Sequence, residues 1–220
     1  MSIRDKYYIE EINYETAMSV VVKCHYAHRT APCSRAFGLY SKELKRLVGV
    51  VTYGSPVGRC LCENVCGIEN VHNVYELTRL YVDDGLEKNL ESFLVANTLK
   101  LLDKEIIVSY ADTAWNHVGI IYQATNFYYT GLSAKRNDPI TENGKHYRHN
   151  QTTIRDGAES VERSRKHRYI YFNANKRRKK ELMKKLNYPI LPYPKQDCEV
   201  PKTSTENIFD EKNTKKKRLF

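Results

Sequence analysis

"VYELTRLYVDDGLEKNLESFLVANTLKLLDKEIIVSYAD", residues 74–112, decides the fold. Its opening, "VYELTRLYV" (74–82), alternates apolar and polar side chains, the period of a half-buried strand. The middle, "NLESFLVANTLKLLDK" (89–104), sets Leu90, Phe93, Leu94, Asn97 and Leu101 on one helical stripe, with Asn89 at the N-cap position. The end, "EIIVSYAD" (105–112), is nearly all apolar up to Asp112, as in a central strand buried on both faces. Strand, helix and strand in this order imply parallel neighbours joined by a right-handed crossover.

Outward from this unit the pattern continues. "KYYIEEI" (6–12) reads as a strand and "YETAMSVVVKCHYA" (14–27) as a helix starting at Glu15 or Thr16. "AFGLYS" (36–41) and "RLVGVVTYGSP" (46–56) read as strands joined by the charged turn "KELK". "NHVGIIYQATNF" (116–127) reads as an amphipathic helix with Asn116 as its N-cap, "FYYTGLS" (127–133) as a strand and "RYIYF" (168–172) as the last strand. The fold class is therefore α/β, a mixed central sheet with helices on both faces. Residues 134–165 are polar, a long loop or insertion. "ANKRRKKELMKKL" (from 174) can form a basic helix, and the Pro- and Lys-rich chain after Tyr188 has the composition of an extended or disordered tail. The expected division is a catalytic domain over 1–173 and a basic helix with tail over 174–220.

The formal net charge is +10 and the estimated pI about 9.2, a balance that suits a polyanionic partner. The charge is uneven: residues 163–185 hold eleven Lys and Arg. Arg163, Arg165, Lys166 and Arg168 interleave with Tyr169, Tyr171 and Phe172, and Lys176, Arg177 and Arg178 follow; this is the expected DNA-binding segment. No apolar run reaches the ~20 residues that span a bilayer, and the N-terminus has no apolar signal core, so a cytoplasmic setting is expected. The six cysteines are then reduced or metal-bound. Cys60, Cys62, Cys66 and His72 lack the spacing of common zinc knuckles and read as a loop of reduced cysteines.

Several residues stand out for chemistry. Arg79 sits inside an apolar strand, on the side of Leu77 and Tyr81 by simple alternation, and needs an anion: Asp112, Glu76 or a substrate. Asp112 ends the central strand, where open α/β sheets bind ligands. Tyr122 shares a helix face with Asn126 and is either a core ring or a proton donor. His25 and His28, at the end of the first helix, are a metal or proton-shuttle pair or a C-terminal charge device. The loop from Val82 through Gly85 to Asn89 and Ser92 leads into a helix N-terminus that can hold an anionic group of a donor such as acetyl-CoA. Asp83, Asp84 and Glu87 argue against a strong pyrophosphate site there.

The order of elements is similar to the GCN5-related N-acetyltransferase (GNAT) fold. More specifically, "VYELTRLYVDD", "NLESFLVANTLKLL" and above all "IIVSYADTAWNHVGIIYQATNFYYTG" resemble the Mom family of bacteriophage DNA-modification proteins, over about residues 20–172. That resemblance implies a transferase that converts adenine in double-stranded phage DNA to N6-carbamoylmethyladenine and so evades host restriction, in the cytoplasm of the host. It implies functional roles for Arg79, Ser92, Asp112 and Tyr122, and for His25. The donor is acetyl-CoA or another activated group such as glycyl-tRNA, and a metal ion at His25 and His28 stays open. A flipped adenine needs aromatic walls, for which Tyr53, Trp115, Tyr128 and Tyr129, with Asn116, are the candidates. The alternatives are an N-acyltransferase acting on a protein or small-molecule amine, or a non-catalytic nucleic-acid binder.

Overall fold

The computed structural model describes residues 2–139 and 160–196. Its strands are β1 (Tyr7–Glu11), β2 (Arg35–Ser41), β3 (Arg46–Gly54), β4 (Val74–Val82), β5 (Ile106–Asp112), β6 (Tyr128–Leu132), β7 (Asn137–Pro139), β8 (Ser160–Glu162) and β9 (Lys166–Phe172). Seven of them form one sheet in the order β1-β2-β3-β4-β5-β9-β6, and β7 pairs with β8 apart from it. The helices are α1 (Ile3–Lys6), α2 (Tyr14–Cys24), α3 (Arg59–Cys66), α4 (Leu90–Thr98), α5 (Ile120–Ala124) and α6 (Lys176–Lys185).

The parallel pair forms as the crossover argument requires, but over a short register: Val74↔Ile106, Tyr75↔Ile107 and Glu76↔Val108. Beyond Glu76 the rest of β4 stays with β3, and the rest of β5 stays with β9. The two strands part and open a cleft in the sheet. Every other pair in this sheet is antiparallel.

Helices cover both faces, as expected of the α/β class. On one face Leu90, Leu94, Val95 and Leu99 pack on Tyr53, Leu77, Ile107 and Tyr169. On the other, Ala17, Met18 and Val21 of α2 cover Ala36 and Val50, while Cys62, Val65, Cys66 and Leu182 cover Ile106, Val108, Ile170 and Phe172. Burying an aliphatic side chain of this kind stabilises by roughly 1.5–3 kcal/mol.

Several local readings change. α2 starts at an Asn13 cap whose side chain accepts from the Thr16 amide, rather than at Glu15 or Thr16, and it ends at Cys24, so His25 and His28 lie beyond it. Asn89 stands at the N-cap of α4 with a left-handed backbone and no side-chain cap bond. Leu101 falls in a 3-10 turn after α4 and is exposed, off the buried stripe. The cysteine segment is a helix, not a loop. Cys62 and Cys66 stand at i, i+4 on its buried face, and burial pushes the Cys66 thiol up to about 11. Gly67, at φ 87°, ends that helix.

The expected boundary at 173/174 does not separate a tail from the domain. Leu182 of α6 is fully buried, and Arg178 pairs with Glu105 at 2.9 Å. After α6 the chain runs on as a strap: the Leu191 amide donates to Tyr129 O and the Tyr193 hydroxyl to Phe127 O. Most of the polar insertion and the end of the tail, 140–159 and 197–220, lie outside the described residues.

Candidate functional site

The cleft between β4 and β5 gathers residues from five segments. Arg79 reaches it through a bulge. Thr52 opposes Arg79 and Tyr53 opposes Leu77, so Thr78 is the extra residue. The bulge breaks the alternation. Leu77, Leu80 and Val82 pack on the α4 side, while Arg79 turns with Tyr81 to the α2 side. Its guanidinium donates to Thr78 O (2.6 Å) and to Thr30 O (3.3 Å) in the loop that follows α2.

That loop brings His25, which is buried, and Tyr26, which is nearly half exposed. The Tyr26 ring lies 4.2 Å from His25, 5.1 Å from Trp115 and 5.9 Å from His117, centroid to centroid. Burial raises the Tyr26 phenol and the Asp112 charge adds to this, while Arg79 and Arg29 oppose them. Tyr26 thus links the two halves of the site, although its place in the sequence gave no sign of this. Burial, and then Arg79 and the neighbouring cations, push His25 down to about 4, so it is neutral at physiological pH. Its Nδ1 accepts the Ala27 amide at 3.1 Å, so the ring proton sits on Nε2 and His25 offers a donor, not a base.

Asp112 sits at the end of β5 as expected, but its partners differ from those expected. It pairs with Lys166 at 3.4 Å and caps the 3-10 turn Thr113–Trp115 by accepting from Ala114 N at 3.0 Å. Burial raises its carboxyl, yet the bonds from Ser164 and Ala114 and the Lys166 charge prevail and hold it below the usual range. Asn116 does not cap a helix; it takes a left-handed backbone (φ 52°) at the end of that turn. α5 starts only after Gly119, and Asn126 falls beyond its end, so Tyr122 and Asn126 share no helix face.

Tyr122 packs against Phe127 (5.5 Å) and Tyr169 (5.3 Å). Burial pushes its phenol up to about 12, with the Ser109 hydroxyl pulling the other way and Tyr26 and Glu76 adding to the rise. It is therefore a protonated donor at neutral pH. The Tyr169 hydroxyl donates to Val118 O and accepts from Gln123 Nε2 (3.2 Å), which fixes the turn that carries Tyr122.

Of the expected pocket aromatics, Trp115 alone joins this group. Tyr53 is fully buried in the core with its hydroxyl on Thr98 Oγ1 at 2.7 Å. Tyr129 bonds His167 at 2.9 Å, and Tyr128 packs on Phe172 on the opposite face. The chain's only tryptophan stands on the rim, 54% exposed.

At the start of α4, Gly85 (φ 77°) faces open space, Ser92 Oγ donates to Asn89 O at 3.0 Å, and Val82 packs into the core. Asp83 is paired with Arg46 and Glu87 with Lys6 and the Tyr7 hydroxyl. Two of the three acids that argued against an anionic donor are thus neutralised by cations of β3 and α1. The amides of the first turn and Lys88 suit an anionic group of a donor.

The basic segment splits in two. Arg168 donates to Thr130 and stacks on Tyr188, Arg165 donates to Ser133 O, Lys166 pairs with Asp112, and Arg178 pairs with Glu105 and donates to Asn70. These cations hold the fold. Lys176 and Arg177 remain on the exposed face of α6. Arg163 sits just before β9, its amide on Arg136 O. Among the described residues, no group of three His, Cys, Asp or Glu is arranged to hold a metal ion, and no helix is long and apolar enough to cross a membrane.

A family model described as the Mom protein family matches residues 6–195, a span that takes in the cleft, α6 and the strap. The chain belongs to the Mom protein family. One relative, the "Methylcarbamoylase mom" of Escherichia phage Mu, is 28% identical over 204 residues, covering 85% of this chain and 83% of the relative. Solved acetyltransferases also align. Ribosomal-protein-S5-alanine acetyltransferase from Vibrio fischeri does so at 11% identity and TM-score 0.47, over 77% of this chain and 94% of the other. Spermidine/spermine N-acetyltransferase from Vibrio cholerae does so at 10% identity and TM-score 0.47, over 81% and 99%. The Mom match extends past residue 172, where the resemblance read from the sequence ends, and so includes the packed C-terminal strap.

Proposed function

We propose that this Mom-family chain is a transferase that converts adenine in double-stranded DNA to N6-carbamoylmethyladenine, protecting phage DNA from host restriction. The observation that carries the reading is the pairing of a neutral, half-buried Tyr122 phenol with an exposed Tyr26–Trp115 shelf at one cleft. Such a site offers a flat ring a stacking surface and a departing group a proton. The phage Mu relative is named a methylcarbamoylase, which supports transfer of a small amide-bearing group. Adenine N6 is paired inside a duplex, so the base must leave the stack to react, at a cost of a few kcal/mol. Lys176 and Arg177 on α6, with Arg163, supply phosphate contacts, which position the duplex without reading its sequence.

The donor must supply two carbons and a nitrogen. A glycyl ester such as glycyl-tRNA balances without oxidant or reductant. N6 displaces the ribose oxygen from the glycyl carbonyl, and Tyr122 protonates that oxygen. The free glycyl amine then attacks C6 through a five-membered ring, and the C6–N6 bond breaks. The old N6 becomes the carboxamide nitrogen. Neutral His25 donates from Nε2 to the developing oxyanion, and Arg79 holds the loop that presents His25 and Tyr26.

The test is co-expression with a plasmid in cells fed 15N-glycine, followed by digestion to nucleosides and mass analysis. One carbamoylmethyl group on deoxyadenosine, with the label on the nitrogen attached to C6, supports both the activity and the donor. A modified base without that label refutes the glycyl donor alone. Unmodified deoxyadenosine from soluble, expressed protein refutes the activity.

A further inference from the structure

Asp112 and His25 are the first groups at the cleft to consider for taking the proton from the amine. Neither suits the task in the folded protein. Asp112 is held by Lys166 and Ala114, and the free nitrogen of His25 already carries its proton. The geometry leaves another carboxylate at the cleft.

Glu76 lies in the last parallel pair, Glu76↔Val108, the point where β4 and β5 part. Its neighbours on the strand, Tyr75 and Leu77, point into the α4-side core, so Glu76 points to the other face. It is more than half enclosed, yet among the described residues its carboxylate makes no hydrogen bond or ion pair. Drawing a carboxylate partly out of water without a hydrogen bond is costly, and carboxylates so perturbed concentrate at functional sites. The groups that act on it come from each element around the cleft: Arg79 on its own strand, Lys166 on β9, Tyr110 on β5, Tyr122 on α5 and Cys62 on α3.

We propose that Glu76 is the general base of the transfer, taking the proton of the attacking amine while Tyr122 gives one to the leaving group; this rests on the reading of the chain as an adenine-modifying transferase. As the N6 lone pair forms the new bond to the donor's acyl carbon, the N6 proton passes to the Glu76 carboxylate. The bond to the donor's oxygen breaks with its electron pair, and that oxygen takes the Tyr122 proton. Glu76 then returns a proton to the tyrosinate, directly or through solvent, and both groups end as they began. Burial raises the Glu76 carboxyl above its ordinary value, with Lys166 and Arg79 opposing. It thus sits below Tyr122 in affinity for protons but nearer to neutrality than a free glutamate, the separation that an acid–base pair requires.

The experiment compares extracts of cells expressing wild-type, Glu76→Gln, Glu76→Asp or Glu76→Ala protein, each given plasmid DNA. Initial rates of deoxyadenosine modification are followed against pH, with thermal unfolding and DNA retention in parallel. Loss of a general base predicts a fall of about 10²–10⁴-fold for Glu76→Gln with folding and DNA retention intact. Added formate should restore part of the Glu76→Ala rate, and the acidic limb of the wild-type profile should vanish in Glu76→Gln. A Glu76→Gln rate equal to wild type, or a loss that formate does not restore, overturns the assignment. Should Glu76→Gln unfold, Glu76→Asp decides: a shifted acidic limb supports the role, and an unshifted one overturns it. An inactive wild-type extract overturns the adenine reading itself, an outcome distinct from inactivity of the variants alone.

Discussion

The Arg168 guanidinium lies 3.4 Å from the centre of the Tyr188 ring. The same side chain donates from Nε and Nη2 to Thr130, so one arginine fastens β9, β6 and the C-terminal strap together. A cation held over a ring in a partly desolvated site contributes about 1–2 kcal/mol. Tyr188→Ala and Arg168→Ala should each lower the free energy of unfolding by at least that amount in urea titrations. The double variant should lose less than the sum of the two. Because Arg168 is spent on the fold, Arg168→Ala should leave the salt slope of DNA binding unchanged, whereas Arg177→Ala should reduce it by about 1. A reduced slope for Arg168→Ala would return it to the DNA-contacting set.

Gly119 and Gly131 separate two costs. Both have positive φ, +79° and +88°. A Cβ at Gly119 would lie 2.5 Å from Tyr169 Cε2, whereas one at Gly131 meets Leu191 Cδ1 at an ordinary 3.4 Å. Gly131→Ala should carry the backbone strain alone, about 1–3 kcal/mol. Gly119→Ala should exceed it, because Tyr169 holds the Val118 carbonyl and the turn that aims Tyr122. Thermal unfolding of both variants checks the order, and adenine modification should fall in Gly119→Ala beyond what its stability explains. Equal destabilisation would remove Tyr169 from the placement of Tyr122.

What the sequence discloses follows from physical range. The 74–112 unit, the 36–54 hairpin and the helix of 176–185 are legible because period and composition are local properties. The bulge at Thr78 is not, since it depends on the register against Thr52 and Tyr53, and it reverses the face on which Arg79 lies. α3 hides because Cys62 and Cys66 face a core built by Phe172 and Leu182, more than a hundred residues away. For the candidate site, residue type and position single out Asp112, Tyr122, His25, Arg79 and Trp115, which the fold brings to one cleft. Tyr26 and Glu76 are not singled out in this way, because an ordinary tyrosine after a helix and a polar strand position become notable only when the cleft brings them to the others. Tyr53 misleads for the opposite reason: its hydroxyl has a buried partner in Thr98 that no local pattern announces.

His25 links the site to stability. Its pKa falls from 6.5 to about 4 on folding, chiefly through burial. Between these values the unfolded chain binds the proton and the folded chain does not, so acid favours unfolding. The contribution is fully present above pH 6.5 and is lost as pH falls through 4, with about 3 kcal/mol as its upper bound. The free-energy gap between wild type and His25→Asn should therefore shrink from pH 7 to pH 4 in urea titrations. A gap that stays constant would mean that His25 is not neutral in the folded protein.

Trp115 gives the shelf its own signal. It is the only tryptophan in the chain, it is 54% exposed, and its ring lies against Tyr26 at the cleft rim. Its fluorescence therefore reports on the shelf with no other tryptophan contributing. A base that leaves the duplex and stacks there should quench it, and stacking on an aromatic side chain contributes about 1–3 kcal/mol. A duplex carrying a mismatched adenine, already unpaired and cheaper to extrude, should quench more strongly at the same salt than a fully paired one. Trp115→Ala should weaken binding of the mismatched duplex roughly 5- to 150-fold, the same 1–3 kcal/mol expressed as a ratio. It should leave the salt slope alone, because a stacked ring neutralises no phosphate. If both duplexes quench equally and Trp115→Ala binds them as wild type does, the flat ring sits elsewhere in the cleft, and the Tyr122 face becomes the place to look for it.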